Sequence, residues 1–152
     1  MRAGRLKARL DSMYSPSRHE AREFLFGAWE KYRAASPLTE LERIAVEIIV
    51  LHPEYHALLE ARERNIDTDF SPEHGQLNPF LHLGLHLGLA EQLALDRPHG
   101  VRAELDRLTR THDDRHDALH AALECLGETM WEAQRSGVAP DPEKFLERLR
   151  RR

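Results

Sequence analysis

The chain has 152 residues, the size of one ordinary domain, and it can bury a core without disulfides or a structural metal. Its formal net charge of −4 hides an acidic body, because residues 11–143 carry 13 basic and 25 acidic side chains. Nucleic-acid affinity depends on neutralising phosphates, so this charge distribution argues against a nucleic-acid-binding protein.

Targeting and membrane signals are weak in this sequence. Cys125 is the single cysteine, which excludes an intramolecular disulfide and suits a reducing compartment. The basic first ten residues lack the apolar stretch of a signal peptide. The longest mostly apolar run, 79–90, is shorter than the roughly 20 residues that span a bilayer. We therefore expect a cytoplasmic protein with no membrane partner.

Helix signals recur along the first half of the chain, whereas strand signals are weak. A first helix is predicted from residues 15–17 to about Ala35. Thr39 and Glu42 form a capping box at the start of a second helix. Pro53 should end or kink that helix, and it also suits the first turn of a short helix that follows.

The second half of the chain begins with a polar connection over 65–77. Asn78 then caps a helix with Pro79 at its first position, and this helix is apolar on nearly every side, which is typical of a buried element. Further helices are predicted over about 100–110, over about 113–136 before Gly137, and after Asp141.

These elements predict an all-α fold, a single-domain antiparallel helical bundle of about five to six helices. Residues 15–152 would form the bundle domain, and residues 1–14 a basic N-terminal extension. No P-loop, dinucleotide-binding fingerprint or nucleophile elbow accompanies the helices. The features of this sequence that indicate a function are therefore individual side chains and their spacing.

Histidine spacing is the most informative chemical feature of the sequence. Ten histidines would give about 0.6 pairs at i,i+4 in a shuffled chain, but four such pairs occur. Residues four apart on a helix project from one face, so two imidazoles can share one metal ion. The pairs are His52/His56, His82/His86, His112/His116 and His116/His120.

Two carboxylates continue the series of residues spaced four apart that these histidine pairs begin. Glu60 follows His56 and Glu124 follows His120 at the same spacing. Each step of four residues rotates about 40° around the helix axis, so a long ladder cannot face one point. The predicted metal ligands are His52, His56, His82, His86, His116 and His120, with Glu60 or Glu124 as a carboxylate.

This ligand set predicts a mono- or dinuclear site for a transition-metal ion. Six imidazoles exceed the four ligands of a closed zinc site, which favours two ions or one ion supported by further histidines. Imidazole with carboxylate fits iron or zinc first, and manganese or copper as well. Redox or oxygen chemistry, metal sensing and metal storage are all compatible with such a site.

Two metal-free interpretations compete with the metal site. The histidines can be structural residues of a protein-interaction module that binds another protein in a surface groove. A homodimer is also compatible with the sequence, formed through the helix face that carries Gly84 and Gly88 or through an exposed face of the first helix. A His–Glu pair such as His120 with Glu124 can also serve an acid–base enzyme. No substrate-orienting motif accompanies that pair, so the sequence assigns no reaction.

Four segments also give the chain a family resemblance. Together they resemble the signature of a small bacterial family of domains of unknown function, the one numbered eighteen forty-one. The resemblance covers about residues 14–150 and implies no established activity, but its motifs contain the same histidine pairs. The segments are His-Pro-Glu-Tyr-His at 52–56, Asn-Pro-Phe-Leu-His-Leu-Gly-Leu-His-Leu at 78–87, and the stretches 116–128 and 131–135.

Overall fold

The structure is a computed structural model, and it describes residues 18–70 and 78–152. All regular elements in these two ranges are helical. None of the helices there is both long enough and apolar enough to cross a membrane. In chain order they are α1 (Arg18–Arg33), α2 (Glu40–Val50), a 3-10 turn (Pro53–Tyr55), α3 (His56–Leu59), α4 (Arg62–Asn65), α5 (Pro79–Leu95), α6 (Val101–Thr111), α7 (Arg115–Ser136) and α8 (Pro142–Arg151).

The all-α class predicted from the sequence is confirmed for the described ranges. The described ranges contain eight α-helices where five to six were expected, in part because residues 53–65 fold as a 3-10 turn and two short α-helices. The helix start predicted at 15–17, the extension over 1–14 and the 71–77 part of the connection predicted over 65–77 lie outside the described residues. The single-domain, antiparallel arrangement stays a prediction.

The contacts within the chain divide it into two compact units, residues 1–87 and 88–152, and the boundary between them falls within α5. In the described part of the first unit, α1 packs against α2. Arg22 on α1 holds the segment that follows α4, because its guanidinium donates to the carbonyls of Ile66 (3.0 Å) and Thr68 (2.8 Å). The guanidinium carbon also lies 4.5 Å from the centroid of the Phe80 ring. Its buried core is formed by Leu25, Phe26, Ala28, Trp29, Ala45, Val46, Ile49, Leu59, Phe80 and Leu83.

In the second unit, which begins within α5, the helices α6, α7 and α8 pack on one another. Gly137 ends α7 in the left-handed conformation (φ 67°), as the sequence predicts, and Asp141 caps α8. Arg148 on α8 donates to the hydroxyl of Thr129 (2.8 Å) on α7. The buried side chains of these three helices include Leu105, Leu108, Ala122, Leu126, Phe145, Leu146 and Leu149.

The start of α2 is fixed by a capping box with an added ion pair. The Thr39 hydroxyl accepts from the Glu42 amide (3.2 Å), and the Glu42 carboxylate accepts from the Thr39 amide (2.9 Å). Lys31 on α1 donates to the same carboxylate at 2.8 Å. The Lys31 hydrogen bond, followed by that of the Thr39 amide, lowers the pKa of Glu42 from 4.5 to about 2. This contact fixes α2 against α1.

We predict that Glu42→Gln lowers stability at neutral pH, because glutamine keeps the capping bond but loses the charge that pairs with Lys31. A carboxyl whose folded pKa lies below its unfolded value stabilises the fold above the unfolded pKa, and that contribution disappears as pH falls through the folded pKa. The difference between wild type and variant should therefore be constant above about pH 5 and shrink between pH 4.5 and 2.

Urea unfolding at several pH values measures this difference, and Lys31→Gln with the double variant completes a thermodynamic cycle. A difference that does not change with pH would show that the ion pair contributes nothing to the fold.

Candidate metal centre

The first ligand candidate, His52, lies where α2 ends. Pro53 lacks an N–H, so it cannot donate the helical i+4 hydrogen bond to the Ile49 carbonyl. The last turn tightens to i+3 hydrogen bonds instead, and the His52 amide donates to the Ile49 carbonyl at 2.9 Å. The Ile48 carbonyl is therefore left with the Leu51 amide (3.1 Å) and the imidazole of His52. The break predicted at Pro53 is thus the reason that a side chain can cap this carbonyl.

The ring of His52 is fully buried and held by that cap. Its Nδ1 lies 2.8 Å from the Ile48 oxygen, and a carbonyl oxygen only accepts, so Nδ1 carries the proton. In the neutral ring the lone pair is then on Nε2. Histidines that bind a metal through one ring nitrogen usually donate the N–H of the other nitrogen to an acceptor such as a backbone carbonyl.

His82 and His86 reach the same point from the first turns of α5. Asn78 caps this helix, since its side-chain oxygen accepts from the amides of Phe80 (3.0 Å) and Leu81 (3.2 Å). The two imidazoles lie one turn apart, with ring centroids separated by 4.9 Å. The cap therefore sets the position from which both rings project.

These three imidazoles form one cluster. Nε2 of His52 lies 3.1 Å from Nε2 of His82, and the ring centroid of His52 lies 4.6 Å from that of His86. All three ring pairs meet edge to face, at interplanar angles of 68° to 80°. The lone pair of His52 thus points into the cluster.

A fourth histidine completes the group that can hold a metal ion. The side chains of His52, His82, His86 and His120 each offer one nitrogen, and these atoms lie within 4.8 Å of one another. His52 and His86 are buried, whereas His82 and His120 are partly exposed. Among the residues that the structure describes, these four side chains form the group of histidine, cysteine or acidic residues whose spacing could hold a metal ion.

His56 and Glu60, two further predicted ligands, lie outside this group. The Nε2 of His56 donates to the Ile49 carbonyl at 2.8 Å, and its ring packs on Trp29 with centroids 4.5 Å apart. Glu60 faces Arg33 at 3.5 Å. Because Pro53 interrupts the helix, the 52/56/60 spacing is not a continuous helical ladder. His56 caps the other carbonyl that the proline leaves exposed.

His116 and Glu124 also lie outside the four-histidine group. The ring of His116 packs against that of His120, with centroids 4.1 Å apart. Glu124 is mostly exposed and pairs with Arg152. The i,i+4 spacing on α7 therefore brings His116 next to a ligand candidate, and the ladder continues to an ion pair at the surface.

Tyr55 and Cys125 complete the chemistry around the candidate ligands. The ring of Tyr55 lies parallel to that of His52 at 5.6 Å and edge-on to that of His82 at 6.0 Å. Burial, followed by the charge of Glu54, raises the pKa of the Tyr55 phenol. Burial also raises the pKa of the Cys125 thiol, which disfavours the thiolate that a nucleophile or a metal ligand requires.

Sequence spacing did not indicate two of these contacts. A backbone acceptor such as the Ile48 carbonyl has no side-chain signature. Tyr55 lies beside the cluster because the 3-10 turn after His52 returns the chain toward it, and its amide donates to the His52 carbonyl at 3.0 Å. The only available signal was the position of Tyr55 between two histidines.

Fold and site together define an all-helical protein with a four-histidine cluster. The family model described as "Domain of unknown function (DUF1841)" matches residues 17–151, so the chain belongs to this family. Searches of curated proteins and of solved structures found no match. The histidine cluster is therefore the feature that indicates the function.

We predict that His56→Leu lowers the free energy of unfolding by about 1 kcal/mol, because the Ile49 carbonyl loses one of its two donors. Urea unfolding in the presence of a chelator measures this change without a contribution from bound metal. His19→Leu, at a mostly exposed position on α1, serves as the matched control and should change stability much less. Equal stabilities of the two variants would contradict a capping role for His56.

Proposed function

We propose that this protein binds one transition-metal ion through the imidazoles of His52, His82, His86 and His120. One observation carries the proposal, namely that the fully buried His52 donates from Nδ1 to the Ile48 carbonyl and directs Nε2 toward His82. A fixed tautomer with a lone pair that faces other imidazoles is what a metal ligand requires.

The distances in the cluster fit a single ion. Two nitrogens that each lie about 2.0–2.1 Å from zinc and form a tetrahedral angle are separated by about 3.3 Å. The His52 and His82 nitrogens are 3.1 Å apart, close to that separation. The four nitrogens all lie within 4.8 Å of one another, so the remaining rings have to move closer together to share the ion.

The ligand set narrows the choice of metal. Imidazole suits zinc, iron, copper and nickel, whereas manganese and magnesium prefer sites rich in carboxylate oxygens. The group contains imidazoles alone. Of the metals expected from the sequence, zinc, iron and copper therefore fit this site better than manganese. Redox or oxygen chemistry, metal sensing and metal storage are functions that such an ion can serve.

Metal analysis of untagged protein, purified without chelator or metal resin, tests the proposal. We expect one equivalent of a single transition metal by plasma mass spectrometry. Metal-free protein should bind added zinc or cobalt(II) at the same ratio. His82→Gln with His86→Gln should weaken binding at least about 100-fold, since loss of residues that merely support a ligand already costs 10- to 100-fold.

Two controls separate ligand loss from loss of fold. Circular dichroism has to show that the double variant keeps its helices. His112→Gln removes another histidine of an i,i+4 pair, one whose Nδ1 binds the Leu108 carbonyl at 2.7 Å and which is not in the group, so it should keep its metal. Metal content that is substoichiometric, or that survives the double substitution, would contradict the proposal and favour the metal-free interaction module.

A further inference from the structure

The outer face of α7 carries a tryptophan that is largely in contact with solvent. Trp131 is 60% exposed, whereas Trp29 is only 5% exposed. The guanidinium carbon of Arg135, one turn further along α7, lies 4.6 Å from the centroid of the Trp131 ring. Single exposed apolar side chains are ordinary, but tryptophan and arginine are the residues most enriched at the energetic centres of protein interfaces.

A glycine lies one turn before this tryptophan, in the interior of the same helix. Gly127 weakens α7 relative to alanine, because glycine lowers helix propensity. Apart from its own helix backbone and its chain neighbours, no atom of the described residues lies within 4 Å of the position that a Cβ on Gly127 would occupy. Packing among the described residues therefore does not require a glycine here, and the missing side chain leaves a shallow depression.

The depression and the ring are neighbours on one surface of α7. Successive residues of an α-helix are rotated by about 100°, so Gly127 and Trp131 are about 40° apart around the axis and about 6 Å apart along it. The buried residues of α7, which include Ala122, Cys125 and Thr129, centre on the opposite side of the helix. The surface that carries Gly127 and Trp131 is thus free to meet another molecule.

This surface is complementary to itself. In an antiparallel pair of α7 helices related by a two-fold axis at the level of Thr129, residues equally far before and after that level lie opposite each other. Trp131 of one copy then lies level with Gly127 of the other copy, and the reverse contact is identical. The ring of each copy meets the depression of the other.

The charges on the same face fit this pairing. Arg135 and Glu124 are both exposed and about 20° apart around the helix. In the antiparallel pair, Arg135 of one copy lies about 1.5 Å from the level of Glu124 of the other. Glu124 pairs with Arg152 of its own chain, but a carboxylate can accept further donors. Opposite charges therefore meet twice, which favours this register over others.

We propose that the protein forms a symmetric dimer in which the α7 helices of two copies pack antiparallel, with Trp131 of each copy on Gly127 of the other. This surface differs from the helix faces that the sequence suggested for a dimer. A contact of one helix face is small compared with the interfaces of stable complexes, so the dimer dissociates on dilution. None of the residues that form the contact is in the four-histidine group, so the proposal does not depend on metal binding.

Sedimentation velocity of untagged, metal-free protein at micromolar to millimolar concentrations tests this proposal. We expect the mass to rise with concentration from that of the 17.6 kDa chain toward twice that value. Acrylamide quenching of tryptophan fluorescence should decrease over the same range, because Trp29 is buried in both states and Trp131 becomes covered only in the dimer. A protein that stays monomeric throughout would overturn the proposal.

Two substitutions on α7 test the contact itself. Trp131→Gln should weaken dimerisation at least about 30-fold, the usual effect of truncating a tryptophan at the centre of an interface. Gly127→Gln should also weaken it strongly, since its side chain fills the depression. The same variant should keep or raise the melting temperature of the monomer, because the added Cβ meets open space and glycine is removed from a helix.

Leu95→Gln serves as the matched control, because Leu95 is an apolar residue that is 47% exposed at the end of α5. This variant should dimerise as wild type does, and circular dichroism has to show that all three variants keep their helices. A dimer that both α7 substitutions leave unchanged would place the interface elsewhere and overturn the proposal. A dimer that is lost with Trp131→Gln but not with Gly127→Gln would overturn the pairing of the ring with the glycine.

Discussion

The hydrogen bond from Nδ1 of His52 to the Ile48 carbonyl is the contact on which the candidate site depends. A buried imidazole without partners is costly, and a helix end leaves carbonyls without amide donors. This bond meets both needs at once. It also fixes the tautomer, so that Nε2 of His52 faces His82. If the Ile48 carbonyl were satisfied by an ordinary helical bond, the ring would have no reason to adopt this orientation.

Pro53 creates the conditions for that bond. Because proline has no N–H, α2 cannot continue, and the carbonyls of Ile48 and Ile49 become acceptors for side chains. His52 caps one and His56 caps the other. The His-Pro-Glu-Tyr-His segment is therefore a helix-ending device whose two histidines have different roles. His52 keeps a nitrogen for the cluster, whereas Nε2 of His56 is occupied by a backbone oxygen.

Helices with strong end signals were predictable from the sequence, whereas the bounds of the short elements were not. Thr39, Asn78 and Gly137 mark helix ends that the structure shows at the same positions. Pro53 also predicted a short helix after α2, and the 3-10 turn and α3 follow there, but no cap or glycine signal marked the division of residues 53–65 into three short elements. Spacing selected all four histidines of the group but also selected His56 and His116. Periodicity states which residues share a helical face, and it carries no information about which faces meet.

The cluster also has an arrangement that satisfies the His52–His82 pair without metal. Since Nε2 of His52 holds a lone pair, the 3.1 Å contact makes Nε2 of His82 the donor when no ion is present. Metal binding at both atoms would require the His82 proton to move to Nδ1, which exchanges one tautomer for the other without changing the ring's charge. One imidazole–imidazole hydrogen bond is then replaced by two bonds to the ion. The backbone that positions these two rings can therefore hold both states.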